Sequence, residues 1–463
     1  MSNRLDNTHA FPSNELDKTN ANLSNGLDKM SANLSYGLDK RQQYMDKLLL
    51  EKIMLENQKE VEEHEVVPRK ISFEGFDRYV LVGIRRAGKS YLLYQQMQKL
   101  LADGHDWSEM LYLNFEDERL EGFTTMDFNL ILEAHFEIYN KRPMLFLDEI
   151  QNIPGWEKFA RRLADNKYKV IITGSNAKML SSDIQTTLGG RYIPINVYPY
   201  SFKEFLDVHQ VPHDKLSLLT TEGKARMMNR LKDYFHHGGF PEGALMKAKR
   251  DYLLSVYQKI YLGDIVARNG VSNVFGLKVM IKKIAESVKQ PISFSRIANI
   301  ISTTGTKLST TSAIKYMEFM EASWLICKVT NIASKLADKE SNAKYYFTDN
   351  GILDLFLIDQ DTALMENLVA VNLIRKYGRD EAVFFYNQGI EVDFYIPEEE
   401  IAIQVSYSIQ DDDTRKREVK ALETLPKVLP CKHRYIITYD EQDAWHLSDK
   451  GIEVIPVWKW LLQ

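Results

Sequence analysis

From residue 71 to about 205 the apolar positions fall into short strand-length runs separated by stretches of helical period. Val80-Leu81-Val82, Met110 to Leu113 in the strand-length run from Met110 to Phe115, the run from Met144 to Leu147, and Val170-Ile171-Ile172 are apolar at successive positions, as strands buried on both faces are. Between them Leu92, Leu93, Met97, Leu100 and Leu101 recur at helical spacing, and residues 128–139 and 156–165 read as two further helices. Strand alternating with helix predicts an α/β chain built on a doubly wound parallel sheet.

The pattern changes on either side. Residues 1–40 carry a repeat of period eleven, in which Leu5, Leu16, Leu27 and Leu38 are each followed by Asp. Such a stripe has one leucine per three helical turns and is interrupted by Gly26 and Gly37, so a flexible leader is expected. Residues 41–66, with Tyr44, Leu48, Ile53 and Leu55, read as an amphipathic helix ending before Pro68. Residues 67–205 make the sheet unit and 206–358 a mainly helical one. In the latter, helices over 292–301 and 310–321 precede strands at 324–329 and 344–347, the order of a winged helix. As a DNA reader its second helix would offer Ser309, Thr310, Thr311 and Lys315; the scarcity of positive charge there suits packing between domains better. Residues 359–463 return to α/β character, with a helix over 365–377 and strands at 383–386, 391–396, 401–406, 435–438 and 454–458.

Composition narrows the class. With 463 residues, 44% hydrophobic and 27% charged, the chain has the make-up of a globular protein of two or three domains. A net charge of −5 leaves no global nucleic-acid footprint. Cys327 and Cys431 suit a reducing compartment. No apolar run is long enough to span a bilayer and no signal peptide is evident, so a cytoplasmic protein without a membrane partner is expected.

The chemistry concentrates where the first strand ends. Gly83-Ile84-Arg85-Arg86-Ala87-Gly88-Lys89-Ser90 fits G-x-x-x-x-G-K-[ST], preceded by a strand and followed by a helix that opens with Tyr91 and Leu92. Glycines let successive N–H groups curl around phosphate oxygens, and the helix brings its positive end to them. Lys89 would reach the β- and γ-phosphates and Ser90 would ligate Mg²⁺, making ATP and Mg²⁺ the expected ligands. Asp148 and Glu149 close another strand in a Walker B pattern: Asp148 would hold the metal and Glu149 would polarise the attacking water. Ser175 and Asn176, at the end of the strand from Val170, either sense the γ-phosphate or cap a helix. Arg191 is either a surface residue or an arginine finger for a neighbouring subunit.

GIRRAGKS (83–90), LFLDEI (145–150), ITGSN (172–176), LGGR (188–191), PYSFKEF (199–205), HGGFPE (237–242) and YLGDI (261–265) occur in this order. On these segments the chain resembles a family of prokaryotic AAA-type ATPases that join the ATPase to a winged helix and a nuclease-like C-terminal domain. The resemblance implies ATP binding, the sensor role for Ser175 or Asn176 and the finger role for Arg191. The last section resembles the restriction-endonuclease core, in which Glu366 and Asp393 match the acids. Gln404 stands where a further carboxylate belongs and Ser406 where a lysine belongs, so cleavage is not expected unless Lys416 or Lys420 substitutes. The function expected is an ATPase whose cycle rearranges its domains or subunits, as a homo-oligomer with a DNA or protein partner. The alternatives are ATP-dependent DNA binding or cleavage, and a nucleotide-gated switch or scaffold.

Overall fold

The computed structural model describes residues 46–71, 73, 78–176, 186–358, 361–379, 381–442 and 447–463. The repeat leader and Tyr44 lie outside them. The amphipathic helix appears as α1 (Lys47–Glu63), with Asp46 accepting from Leu48 N at its start. Its Leu50, Ile53, Met54 and Val61 are buried, and it lies against β2 and α3, defined next.

The first sheet is wholly parallel, in the order β2-β3-β4-β1-β5. Its strands are β1 (Arg78–Val82), β2 (Met110–Asn114), β3 (Met144–Asp148), β4 (Val170–Gly174) and β5 (Ile193–Asn196). Helices α2 (Lys89–Ala102), α3 (Phe128–Tyr139) and α4 (Trp156–Asp165) make the crossovers. The central strands are buried almost throughout, which is why they read as continuous apolar runs. Strand β5 has no such signature: Ile193-Pro194-Ile195-Asn196 is a short, mostly exposed edge strand that a proline can occupy.

Helices follow, among them α5 (Phe202–Val208), α6 (Thr221–His237) and α7 (Pro241–Leu245). A π-helix, Lys259–Ala267, continues the helix Lys249–Gln258. The second sheet has eight strands in the order β13-β12-β11-β10-β9-β7-β8-β6. They are β6 (Ile292–Ser293), β7 (Ile326–Asn331), β8 (Asn342–Phe347), β9 (Phe384–Asn387), β10 (Glu391–Ile396), β11 (Ile401–Val405), β12 (His433–Thr438) and β13 (Glu453–Pro456). Helices α8 (Phe294–Ser302), α9 (Thr310–Ala322), α10 (Asp361–Tyr377) and α11 (Asp412–Thr424) accompany it.

Three local expectations are corrected. Ile292 and Ser293 pair with β8, and the helix begins only at Phe294, because Ser293 caps it by accepting from Arg296 N. Trp324 has φ 61°, a left-handed turn, so its strand starts at Ile326. Val457 and Trp458 open a short terminal helix instead of ending β13. The second sheet is also continuous across residue 358: β7 pairs with β9 in parallel, Thr330 opposite Phe384. Among the described residues no helix is long and apolar enough to cross a membrane.

Candidate functional site

Strand β1 delivers the glycine loop to the carboxyl edge of the first sheet. A Cβ at Gly83 would lie 1.9 Å from Val197 O, so only glycine fits where β1 meets the chain leaving β5. Gly88, the N-cap of α2, has φ +89°, a conformation that favours glycine. Lys89 and Ser90 are the first residues of α2. Lys89 Nζ donates to Gly83 O (3.3 Å) and Ile84 O (3.2 Å) and lies 3.6 Å from Glu149 Oε1.

The loop is braced from behind by Arg69. Its guanidinium forks onto Glu204 of α5 (2.7 and 3.1 Å) and donates to Ala87 O (3.0 Å) and Tyr198 O (3.1 Å). Glu204 also completes the capping box of α5 with Ser201. The PYSFKEF segment thus holds one wall of the loop.

Strand β3 lies between β2 and β4, so its terminal carboxylate is fully enclosed. Asp148 accepts from Tyr112 OH (3.1 Å) and from the Thr173 hydroxyl. Burial, with the charge of Glu149 added, pushes its pKa up to about 6, against the Thr173 and Ser90 hydroxyls and the charge of Lys89. Glu149 adopts φ 50°, and its N–H donates to Thr173 Oγ1 (2.9 Å). Burial works to raise its pKa, yet the charge of Lys89, the Gln151 amide and the charge of Arg85 hold it below the ordinary glutamate range. Glu149 is therefore an anion at neutral pH, able to accept a proton.

These residues face one cavity of about 400 Å³, lined also by Val67, Arg85, Tyr91 and Glu116. The fit to a magnesium-bound triphosphate is good. Ser90 and Asp148 offer the hard oxygen donors that Mg²⁺ prefers, and Lys89 offers a point charge for phosphate. Ser175 Oγ is buried behind the cavity wall, without a hydrogen bond of good geometry among the described residues but close enough to Glu149 to help hold its pKa down. Asn176 follows it, half-buried.

Arg191 does not join this cluster. It precedes β5, whose Ile193 pairs with Tyr79 at the amino end of β1, whereas the glycine loop leaves the carboxyl end. Its guanidinium is held by Asp165 Oδ1 (2.6 Å) and by Leu188 O (3.2 Å).

Glu366, Asp393 and Gln404 do meet in the second sheet, but with different partners from those expected. The Gln404 amide is spent on backbone: it accepts from Asp393 N (2.9 Å) and donates to Glu391 O (3.0 Å), tying β11 to β10. On α11 both Lys416 and Lys420 are exposed; Lys420 lines the same cavity as Glu366, Asp393 and Gln404, but the cation paired with the acids is another. Lys344, in the middle of β8, puts Nζ 3.2 Å from Glu366 Oε1, 3.2 Å from Glu391 Oε1 and 3.6 Å from Asp393 Oδ1. Burial alone would lower the pKa of Lys344, but the charges of Glu366, Asp393 and Glu391 outweigh it and raise it. Tyr346 OH completes the shell with a 2.7 Å bond to Glu366. Among the described residues no group of three or more His, Cys, Asp or Glu side chains is placed to hold a metal ion.

Sequence reasoning missed Lys344, Glu391, Tyr112, Thr173, Arg69 and Glu116. None lies inside a motif that spacing reveals, except Thr173, which stands in the ITGSN segment without an assigned task.

An AAA-domain family model matches residues 76–206, and a model of a domain of unknown function matches residues 228–362. An uncharacterized protein of Methanocaldococcus jannaschii is 32% identical over 430 residues, 90% of this chain and 96% of the relative. An uncharacterized protein of Haemophilus influenzae is 31% identical over 399 residues, 83% of this chain and 94% of the relative. Among solved structures, a Walker-type ATPase of Pyrococcus abyssi aligns with TM-score 0.37 and 14% identity over 69% of this chain and 97% of that one.

Proposed function

This chain belongs to the AAA-type P-loop ATPase family, and on that premise we propose that it binds ATP with Mg²⁺ and hydrolyses it. The observation that supports the reading is the convergence of Lys89, Ser90, Asp148 and Glu149 on one cavity at the carboxyl edge of a parallel sheet. Backbone N–H groups of residues 84–88 and the start of α2 cradle the phosphates. Lys89 exchanges the carbonyls of Gly83 and Ile84 for the β- and γ-phosphate oxygens. Ser90 and Asp148 would hold Mg²⁺, which supplies charge neutralisation across the β- and γ-phosphates. Glu149 takes a proton from the water that attacks the γ-phosphorus, the bond to the β-phosphate oxygen breaks, and ADP and phosphate leave. Ser175 reads the presence of the γ-phosphate.

The cycle rearranges the C-terminal half relative to the first sheet. In this reading residues 206–358 include a winged helix used for packing, and the Lys344 cluster, whose Glu366, Asp393 and Gln404 line a second cavity, is a remnant of a nuclease-like site whose domain binds a partner. Arg191 acts on a neighbouring subunit in a homo-oligomer, because its place beyond the amino end of β1 is remote from its own phosphates.

Equilibrium binding of fluorescent ADP and ATP with Mg²⁺, together with phosphate release, tests the reading. Lys89→Ala should abolish binding, and Glu149→Gln should bind normally while turnover falls by about 10²-fold. Normal hydrolysis by Glu149→Gln removes Glu149 as the base, and a wild-type chain that binds neither nucleotide removes the function. Arg191→Ala should lower turnover of the oligomer without weakening nucleotide affinity; unchanged turnover removes the finger.

A further inference from the structure

We propose that Arg85, inside the glycine loop, contacts the γ-phosphate of its own subunit during hydrolysis, and that Asp264 on the π-helix is the residue that positions it. The proposal rests on the ATPase reading above.

Arg85 lines the same cavity as Lys89, Ser90, Asp148 and Glu149, and its side chain is 17% exposed. Its partner Glu116 lines the cavity too, just past Asn114, which pairs with Asp148 across β2 and β3, so the guanidinium lies on the side of the metal-holding and base residues. Its guanidinium gives three of its five N–H donors to two carboxylates that are held with unequal strength. Nε and Nη2 fork onto the two oxygens of Asp264 (3.0 and 3.3 Å), while Nη1 donates singly to Glu116 (2.9 Å).

The two partners differ in what holds them. Asp264 is 3% exposed and takes a second cation, Arg268, at 3.1 Å. Asn269 donates to the carbonyls of Asp264 and Ile265 and fixes the backbone beneath. A buried, bidentate, charge-assisted pair of this kind is the durable one. Glu116 is 43% exposed and makes a single bond, the kind of surface pair that contributes little. A triphosphate entering the cavity brings oxygens that compete for the Nη1 fork. It displaces Glu116 and leaves the Asp264 clamp intact. Arg85 then stabilises charge on the transferring phosphoryl group from within the subunit.

The neighbouring Arg86 serves as a contrast. Its pair with Glu242 of α7 (2.7 Å) has both side chains nearly half exposed, and beyond it the guanidinium only rests 5.8 Å from the centroid of the Tyr252 ring, with no buried carboxylate to clamp it. The clamp also explains a motif that otherwise has no task. The YLGDI segment supplies Asp264, which ties the phosphate loop to a π-helix 179 residues further along the chain.

The test uses the full chain and compares kcat with the affinities for fluorescent ADP and a non-hydrolysable ATP analogue. Arg85→Ala should lower kcat by about 10²- to 10³-fold while ADP affinity stays within a few-fold of wild type. Arg85→Lys keeps charge but loses the fork, and should lose about 10-fold in kcat; it carries the test if the alanine variant does not fold. Asp264→Asn should lower kcat by about 10-fold through misplacement of the guanidinium, with the ATP-analogue affinity reduced more than that for ADP. Glu116→Ala should do the reverse and raise affinity for the ATP analogue relative to ADP. Arg85 variants that turn over like wild type, or that lose ADP and analogue binding equally, overturn the proposal. A wild-type chain that binds no nucleotide overturns the ATPase reading and this inference with it, whereas a wild-type ATPase matched by Arg85→Ala overturns the inference alone.

Discussion

Lys89 and Lys344 are both buried beside carboxylates, and their surroundings set them apart. Lys89 is held by two carbonyls of its own loop and one carboxylate, at 3.2–3.6 Å, on the wall of an open cavity. Lys344 is fully buried in mid-strand, with Glu366, Glu391 and Asp393 all within 3.2–3.6 Å. The contacts of Lys89 are weak and replaceable, so an arriving phosphate can take them over. Those of Lys344 come from one strand and one helix, Glu391 and Asp393 on β10 and Glu366 on α10, and all three carboxylates share the same ammonium. A cation that can exchange partners binds a ligand; a cation that cannot holds the fold together.

The largest effect should follow from removing each lysine. Lys344→Met leaves Glu366 and Asp393 buried without their cation and should cost about 3–5 kcal/mol, with the share of half-exposed Glu391 discounted. Lys89→Met should cost about 1 kcal/mol, since water in the cavity can solvate the freed Glu149. Urea unfolding with hydrogen exchange of β8, β10 and β11 measures both. Equal losses of stability in the two variants would dissolve the distinction between a working and a structural lysine.

The same contrast explains what could be read from the sequence. Lys89, Ser90 and the glycines are neighbours in sequence because a loop between one strand and one helix makes the cradle, so a local pattern carries them. Asp148 and Glu149 were legible because the strand that presents them is a continuous apolar run. Lys344 has no such pattern. It lies 22 residues before Glu366 and 49 before Asp393, and reaches them only because β7 pairs with β9 and joins two groups of strands into one sheet. Asp264 belongs between these cases: its segment was recognisable, but its partner Arg85 is a long-range contact that no spacing implies. Edge strand β5 was illegible for a different reason, since it has little apolar burial to impose a period.

A smaller effect separates a structural from a catalytic reading of Gln404. Its amide bridges Asp393 N and Glu391 O, so Gln404→Ala strands two backbone groups and should cost about 1–3 kcal/mol. Nucleotide affinity and turnover should not change. A variant that keeps its stability but loses a divalent-metal-dependent activity would mean that Gln404 belongs to a reacting site.

The smallest effect is a slope with pH, and it is the most discriminating. Asp393 is largely buried, its side chain 14% exposed at the wall of a cavity, and burial together with the charge of Glu366 raises its pKa well above the ordinary aspartate value, although Lys344 and the Val405 N–H pull the other way. A carboxyl whose native pKa is raised binds its proton more tightly folded than unfolded. Its stabilising contribution is therefore fully present below the unfolded pKa and lost as pH rises through the native one. Glu149 has the opposite sign: its pKa is lowered, so its contribution is present above the unfolded value and lost only as pH falls through the native one. Asp148, raised to about 6, gives the first sheet a descending limb of its own, so the comparison must be between variants and not between regions. Between pH 5 and 8, protection of β10 and β11 should fall by about 1 kcal/mol in wild type and stay flat in Asp393→Asn, because the asparagine has no proton to release. If the slope survives in Asp393→Asn, the proton is carried by another group, and the Lys344 cluster is less tightly closed than its distances imply.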